Sequence, residues 1–259
     1  MLRSRILVAS AIIVFWLVMT GLLVRREVLV PRAEQDAQGI GEYDTWMGIY
    51  TGRDDGSEEK IGFVHTSAQR GERDGVEGIN YSLLFQTRAA LLEHRSPMRV
   101  DGAAWIPDND SLSDFWFTIA SGNEHAMRID GVVGDERVNL EVSTGGESFP
   151  LTLPLDKNFL FAGSMGATTL NVPSMEVGDE VIIQSFDPMT MSMGRARITC
   201  LSRDVYVYDG EELPIQKLTI AIGGLTSETW ITDEEEVVYV KTPLGMILRK
   251  EPALRAIEI

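Results

Sequence analysis

The sequence has very little cysteine and histidine, the side chains on which many nucleophilic and metal-dependent sites rely. Its 259 residues include one cysteine, Cys200, and three histidines, His65, His94 and His125. A single cysteine cannot form an internal disulfide, so cysteine usage does not indicate the redox compartment. Cys200 lies in the apolar run 198–201, which predicts a small buried residue rather than a reactive thiol.

No arrangement of these residues forms a recognisable catalytic motif. A hydrolytic triad needs a nucleophile, a base and an orienting acid, but the sequence has no Gly-x-Ser-x-Gly elbow and no identifiable partner for Cys200. The metal-binding motifs His-Glu-x-x-His and Cys-x-x-Cys are absent as well. We therefore predict a protein that is not an enzyme and that uses no metal or other cofactor.

Basic residues are scarce relative to acidic ones. The formal net charge is −16, and from Ala33 onward 18 basic residues stand against 38 acidic ones, which gives this part a net charge of −20. Such a surface repels phosphate backbones, so we expect no nucleic-acid binding and no peripheral docking onto anionic lipid. The acidic pair Glu58 and Glu59 and the run from Asp233 to Glu236 are interpreted as solvated turns rather than calcium or acid–base sites.

One long apolar run lies near the N-terminus. It extends from Ile6 to Val24, contains no charge over 19 residues, and is long enough to cross a bilayer as a helix. Arg25 and Arg26 follow without a small-x-small cleavage site, which favours an uncleaved anchor over a cleaved signal peptide. The predicted organisation is an anchor at 1–26, a tether at 27–44 and one domain at 45–259. Basic residues flank both ends of the run, so their count hardly decides the orientation.

Short alternating apolar runs fill the domain and are densest between Val181 and Leu248. Turn chemistry separates them: Asp-Pro, Asp-Gly, Gly-Gly, Thr-Pro or acidic steps follow the runs VIIQSF, ARITCL, VYVY, KLTIAI, ETWI, VVYV and MIL. Alternation of this kind, with a turn about every 8 to 12 residues, is typical of consecutive antiparallel strands. The Asp209–Gly210 step is a strong hairpin signal because both residues tolerate positive φ. A polar step at 202–204 is expected to separate ARITCL from VYVY.

The first half of the domain repeats this pattern. Candidate strands are WMGIY, IGFVHTS, INYSLLFQTRAALL, AAWI, FWFTIA, EHAMRI, RVNLEV and FPLTL. Alternation breaks at 89–92, which is compatible with a bend or crossover at the end of the third segment. The Gly pairs at 145–146 and 223–224 are interpreted as turns, since neither is followed by the Lys-Ser/Thr of a phosphate loop. Residues 155–179 alternate less and predict a short helix or loop. The predicted fold is mainly β: a single curved antiparallel sheet, a half-barrel or up-and-down meander of at least ten strands, with one N-terminal transmembrane helix.

Several short motifs resemble a known family. They are WMGIY at 46–50, KIGF at 60–63, FDP at 186–188, YDGEELP at 208–214, ETWI at 228–231 and VVYVKTPLGMILRKE at 237–251. Together they resemble the β-rich extracytoplasmic region found ahead of bacterial transglutaminase-like domains, which is similar to LolA-like periplasmic half-barrels that carry lipid. The resemblance implies an extracytoplasmic domain on a single-pass inner-membrane anchor. It covers only the accessory region, because the catalytic domain is absent.

One side-chain pattern points to a binding face. Met189, Met191 and Met193 alternate, so in an extended segment their three thioethers lie on one face. Thioethers suit Cu(I), but no histidine or cysteine lies near them in sequence, and methionine commonly lines adaptable apolar surfaces. We predict that these methionines, with Trp116 and Trp230, contact an apolar ligand. The methionines are compatible with a pocket lining, an interface or a core position. For the tryptophans core filling is the default interpretation.

Three classes of function are compatible with these features. The first is a membrane-anchored domain, held by the helix from Ile6 to Val24, that binds a lipid, an acyl chain or the apolar element of a partner protein. The second is a structural or assembly subunit of a membrane protein complex, whose helix packs among other membrane helices. The third is an enzyme, which the missing motifs disfavour. The sequence favours the first class.

Overall fold

The structure is a computed structural model that describes residues 42–52, 56–88, 97–108, 112–122, 124–134, 136–154, 159–161, 175–187, 192–233 and 236–258. The predicted anchor, from Ile6 to Val24, and most of the tether lie outside these residues. Within the described ranges no helix is long and apolar enough to span a membrane.

Fifteen strands and one short helix make up the described part of the chain. They are β1 (Tyr43–Gly52), β2 (Glu58–Arg73), β3 (Val76–Thr87), β4 (Met98–Pro107), β5 (Asp114–Ser121), β6 (Glu124–Val133), β7 (Arg137–Thr144), β8 (Glu147–Pro154), β9 (Phe159–Phe161), β10 (Glu180–Asp187), β11 (Ser192–Tyr208), β12 (Glu211–Ile222), β13 (Leu225–Thr232), β14 (Val237–Lys241), β15 (Met246–Lys250) and α1 (Ala253–Ile257).

All fifteen strands belong to one sheet with the order β8-β7-β6-β5-β4-β3-β2-β1-β15-β14-β13-β12-β11-β10-β9. Consecutive strands from β1 to β8 and from β10 to β15 pair antiparallel, and β1 joins the two halves by pairing antiparallel with β15. The sheet is not closed, because β8 and β9 stand at opposite ends of this order. The prediction of a mainly β domain built on a single, mostly antiparallel sheet of at least ten strands is confirmed.

Two local predictions need correction. The short helix or loop expected over 155–179 includes a three-residue strand, β9, which pairs parallel with β10. A strand this short offers too few residues for alternation to reveal it. ARITCL and VYVY, expected as separate strands, form the single 17-residue strand β11. The polar step does not end the strand, because residues 202–204 pair with residues 215–217 of β12 after a β-bulge at Leu201.

The predicted tight turns are confirmed by their backbone angles. Asp209 and Gly210 have φ of 51° and 84°, and the Gly pair at 223–224 has φ of 56° and 86°. Positive φ at both central residues matches the twist of the flanking antiparallel strands. Each turn is two residues long, so it fixes the register of its hairpin and therefore which side chains share a face.

One face of the sheet, the inner face, carries the apolar core. Its larger cluster takes residues from both halves of the chain: Met47, Ile49, Ile61, Val64, Phe85, Val100, Ile119, Met175, Val181, Ile183, Ala196, Ile198, Cys200, Leu218, Ile220, Ile231, Val237, Val240, Met246 and Leu248. A smaller cluster covers β5 to β7: Phe115, Phe117, Ile129, Val138, Leu140 and Val142. Side chains this deeply buried on one face need cover from opposing strands, so the twisted sheet is curved. The predicted burial of Cys200 is confirmed.

The acidic segments expected in solvated turns have structural partners. Glu58 and Glu59 lie in β2 rather than in a turn, and Glu58 accepts a hydrogen bond from Arg249 Nη2 at 2.5 Å. Glu236 follows the β13–β14 turn, where its carboxylate accepts hydrogen bonds from Thr45 Oγ1 at 2.7 Å and from Lys250 Nζ at 2.6 Å. The sequence could not show these pairings, because more than 190 residues separate Glu58 from Arg249 and Thr45 from Glu236.

Candidate functional site

The connections between strands divide into two sets, one at each end of the strands. The connections that follow β1, β3, β5, β7, β10, β12 and β14 all lie at one end, because neighbouring strands run antiparallel. We call this end the upper rim. The opposite end of the sheet also carries partly buried apolar side chains of the inner face, Leu112, Val133 and Leu153, which pack against the smaller cluster.

Four inner-face side chains at or near the upper rim are only half-buried: Leu83, Met98, Met127 and Ile222. Met98 begins β4, Met127 lies near the start of β6, and Ile222 ends β12. All four pack against the larger core cluster, although they come from both halves of the sheet. Leu225, 47% exposed, pairs with Ile222 and extends the apolar surface to the rim. The arrangement presents an apolar surface that still contacts water.

The predicted methionine segment leaves from the same rim. Asp187 ends β10 and Ser192 begins β11, so residues 188–191 connect two strands there. Met189 and Met191 lie outside the described residues. Met193 belongs to β11, where its backbone pairs with Phe186. The topology therefore joins this segment to the end of the sheet that carries the half-buried side chains.

Trp116 lies on the outer face of the sheet. It alternates in β5 with Phe115 and Phe117, which are buried in the smaller inner cluster. The Arg128 guanidinium carbon sits 5.1 Å from the centroid of the Trp116 ring, a cation–π contact. An ion pair of 2.6 Å with Asp130 holds this arginine in place.

Trp230 also lies on the outer face. It stacks on Tyr239 with a centroid distance of 4.2 Å, and Lys217 Nζ sits 4.6 Å from its centroid. Its Nε1 donates a hydrogen bond of 2.7 Å to Glu228. Six strands separate β5 from β13 in the sheet order, so the structure does not bring Trp116 and Trp230 together.

Residues at the upper rim were missed by the sequence analysis for a specific reason. Leu83, Met98, Met127 and Ile222 occupy the same alternation phase as buried neighbours, so the sequence does not distinguish them from core residues. The only sequence feature that identifies them is their position in the alternation of each strand, which places them on the inner face. Their partial exposure depends on how far the sheet curves, which no local pattern encodes.

A polar cavity of about 330 Å³ lies on another part of the surface, lined by Tyr50, Tyr206, Val207, Tyr208, Asp209, Arg249, Lys250, Glu251, Pro252 and Arg255. Glu251 is its most buried charged group, and its carboxylate accepts hydrogen bonds from Tyr50 Oη and, at 2.6 Å, from Lys60 Nζ. Burial and this hydrogen bond raise the pKa of Tyr50 to about 12. The Glu251 N–H also donates to Trp46 O at 2.8 Å. These contacts fasten the segment leading into α1 onto β1 and β2.

Among the side chains that the structure describes, the candidate catalytic groups do not form a triad. His65 Nε2 lies 2.7 Å from Asp44 Oδ1, and its ring stacks on Trp46 at 3.9 Å. Ser67 and Ser82 face each other across β2 and β3, and their hydroxyl groups are hydrogen-bonded at 2.7 Å. Burial raises the pKa of the Cys200 thiol, which disfavours the thiolate.

The two other histidines add no catalytic or metal-binding group to the described side chains. His94 lies outside the described residues. For His125, in β6, only the backbone is described, and it pairs with Ala120 of β5. Among the described side chains, no group of three or more histidine, cysteine, aspartate or glutamate residues could hold a metal ion.

Comparisons with known proteins give one likeness. No family model matches the chain, and no curated protein matches it. One solved structure does: the crystal structure of a beta-barrel-like protein of Domain of Unknown Function DUF1849 from Brucella abortus. The two share 10% sequence identity with a TM-score of 0.49, over 80% of this chain and 96% of the other. Neither a transglutaminase-associated region nor a LolA-like carrier is among these findings, so that resemblance stays a prediction.

Proposed function

We propose that this protein is a non-catalytic envelope domain that binds an apolar ligand, such as a lipid or acyl chain, or the apolar element of a partner protein, at the upper rim. The observation that carries the proposal is the half-burial of Leu83, Met98, Met127 and Ile222 on the inner face. Ligand sites of this kind are concave and mostly apolar. The curved sheet supplies the concavity, and the core cluster beneath supplies a rigid floor.

The energetics favour occupation of this surface. Covering a half-exposed methionine or leucine side chain completely contributes part of the roughly 1.5–3 kcal/mol available from its full burial. Four such side chains therefore provide several kcal/mol before the cost of immobilising a ligand. The methionine segment reaches the same rim, and unbranched thioethers adapt to ligands of variable shape.

The proposal includes a location. The run from Ile6 to Val24 acts as a single-pass anchor in the inner membrane and holds the domain on the extracytoplasmic side. A tethered domain meets lipids at the membrane surface without docking its own acidic surface onto anionic headgroups.

A role in assembly is the second candidate, because one hairpin displays exposed apolar side chains away from the upper rim. Val205 and Val207 are 51% and 63% exposed on β11. A contact made there would be with another macromolecule, since both valines lie on an open strand, although Val207 also borders the polar cavity.

Mass spectrometry of an organic extract from the gently purified full chain tests the ligand proposal. The double variant Met127→Ser with Ile222→Ser should lose most of the copurifying lipid. Val132→Ser is the matched control, because Val132 lies on the same strand as Met127 but is 60% exposed on the outer face. Equal lipid in all three proteins, with unchanged thermal melting, would contradict binding at the upper rim.

A further inference from the structure

The tip of the β11–β12 hairpin extends beyond its neighbouring strands. β10 pairs with β11 only as far as Thr199, and β13 pairs with β12 only from Ile215 onward. Residues 205–214, which we call the arm, therefore form a two-stranded ribbon. Within the described ranges no strand pairs with either outer edge of the arm.

The side of the arm that carries Tyr206 and Tyr208 is held against the outer face of the sheet. The Tyr206 ring meets Trp230 edge-on at 6.0 Å, and Lys250 Nζ lies 4.8 Å from the centroid of Tyr208. Just before the arm, Asp204 forms a 2.7 Å ion pair with Lys217. These contacts fix the arm's orientation, so its other side is presented to solvent in a defined geometry.

The solvent side combines apolar and acidic groups. Val205 and Val207 are 51% and 63% exposed and pair with Pro214 and Glu212, which are also exposed. Because side chains of paired residues share a face, the two valines, Pro214 and Glu212 form one small patch. Asp209 and Glu211, both exposed, add negative charge at the tip.

The two edges of the arm differ in their free backbone groups. Tyr208 pairs with Glu211 across the two-residue turn, which makes this a hydrogen-bonded pair. Every second residue of β11 then turns its backbone outward, so Val205 and Val207 face the open edge. Val205 N–H already donates to Asp204 Oδ1 at 2.9 Å, whereas Val207 retains an outward N–H and C=O. On β12 the matching edge position is Pro214, which has no N–H.

We propose that the β11 edge of the arm binds an extended segment of a partner protein in which apolar residues alternate with lysine or arginine. Strand addition satisfies the outward backbone groups of Val207, and the exposed valines provide the apolar contact. The carboxylates of Asp209, Glu211 and Glu212 favour a basic partner and raise its rate of association.

A second copy of this chain fits the edge poorly. Antiparallel pairing of two arms brings the acidic tip of each beside Asp204 of the other, and like charges placed this way oppose association. The end of the sheet formed by β8 is a contrasting case. Pro150 and Pro154 interrupt its row of backbone donors, as is typical of edges that are protected from strand addition.

The test uses the full chain in non-ionic detergent and a fluorescein-labelled peptide of alternating lysine and valine, with fluorescence anisotropy as the readout. We expect saturable binding that weakens as salt increases, and no binding of the matched glutamate–valine peptide. The double variant Val205→Ser with Val207→Ser should lower the affinity by about tenfold or more, which corresponds to roughly 1.4 kcal/mol. Val132→Ser, an exposed valine on another strand, should leave it unchanged.

Two further measurements separate strand addition from general attraction to an acidic protein. A peptide with alternate backbone N-methyl groups should bind much more weakly, because it lacks the donors that pair with the arm. Glu211→Lys with Glu212→Lys should shift the preference toward the glutamate–valine peptide.

Several outcomes would overturn the proposal: no binding of the lysine–valine peptide, binding that survives the valine changes, or equal binding of the N-methylated peptide. Self-association that depends on Val205 and Val207 would assign the edge to a second copy instead. Lipid recovery in the valine variant should equal that of the parent, so this test fails or succeeds separately from the apolar-ligand proposal.

Discussion

Trp116 and Phe117 are neighbours in β5, yet they have different surroundings because successive side chains of a strand point to opposite faces. Phe117 packs into an apolar cluster on the inner face, while Trp116 holds a guanidinium on the outer face. The same contrast holds for much of the sheet, although Phe63 and Trp105 are buried on the outer face. The inner face excludes water with aliphatic and phenylalanine side chains, and the outer face orders rings, cations and carboxylates in contact with solvent. Residue type alone therefore does not indicate whether an aromatic side chain belongs to the core.

The largest expected change in stability follows a truncation on the inner face. Leu218→Ala removes a fully buried side chain from the larger cluster and should lower the free energy of unfolding by roughly 2–5 kcal/mol. Urea denaturation measures this change. Val132→Ala, on the outer face, should change the same quantity by no more than about 0.5 kcal/mol. Similar losses for both variants would remove the distinction between the two faces.

The next effect concerns a close contact on the outer face. A Cβ added at Gly48 would lie 2.6 Å from Glu251 Oε2, the carboxylate that fastens the C-terminal segment. Gly48→Ala should therefore destabilise the domain by roughly 1–3 kcal/mol. In a double-mutant cycle with Glu251→Ala, the penalty for Gly48→Ala should shrink without vanishing, since the carboxylate is gone but Tyr50 Cε2, 2.9 Å from the added Cβ, remains. If Gly48→Ala destabilises the domain equally with and without Glu251→Ala, its effect does not come from contact with the Glu251 carboxylate.

A smaller effect is expected for the outer-face tryptophans. Trp230→Leu removes a cation–π contact worth about 0.5–1 kcal/mol and an aromatic stack worth about 0.5–1.5 kcal/mol. Trp116→Leu removes only a cation–π contact, so it should cost less in the same thermal-melting experiment. If Trp116→Leu lowered the melting temperature more than Trp230→Leu, the contacts assigned to the two tryptophans would not explain their contributions to stability.

The smallest effect is a pH dependence. The folded-state pKa of Tyr50 is about 12, above its usual value of 10.0, because burial and the hydrogen bond to Glu251 favour the neutral phenol. The unfolded chain thus releases this proton at lower pH than the folded chain does. The stabilising contribution is complete below about pH 10 and is lost as the pH rises toward 12.

Tyr50→Phe should therefore make the free energy of unfolding fall less steeply between pH 10 and pH 12 than in the parent. Equilibrium unfolding at a series of pH values checks this, with Ser148→Ala, an exposed change on β8, as the control. Parallel pH profiles for the parent and the Tyr50 variant would show that this phenol does not titrate differently on folding.

Parts of the candidate site were accessible from the sequence and parts were not. The alternation of Met189, Met191 and Met193 identified a segment that the topology joins to the upper rim. Trp116 and Trp230 were chosen for their size, which carries no information about the face on which a side chain lies. The alternation phase of Trp116 against Phe115 and Phe117 could have corrected this. Whether any of the five residues contacts a ligand stays a prediction.

By itself the sequence determined the β class, the tight turns and the burial of Cys200, because these depend on alternation and on residues that tolerate positive φ. Tertiary structure alone decided that β1 pairs with β15, that Glu58 meets Arg249, and that Met127 and Ile222 keep contact with water. The physical reason is range: periodicity and turn chemistry act over a few neighbouring residues. Pairing between distant strands and partial exposure at a rim depend on the curvature of the whole sheet.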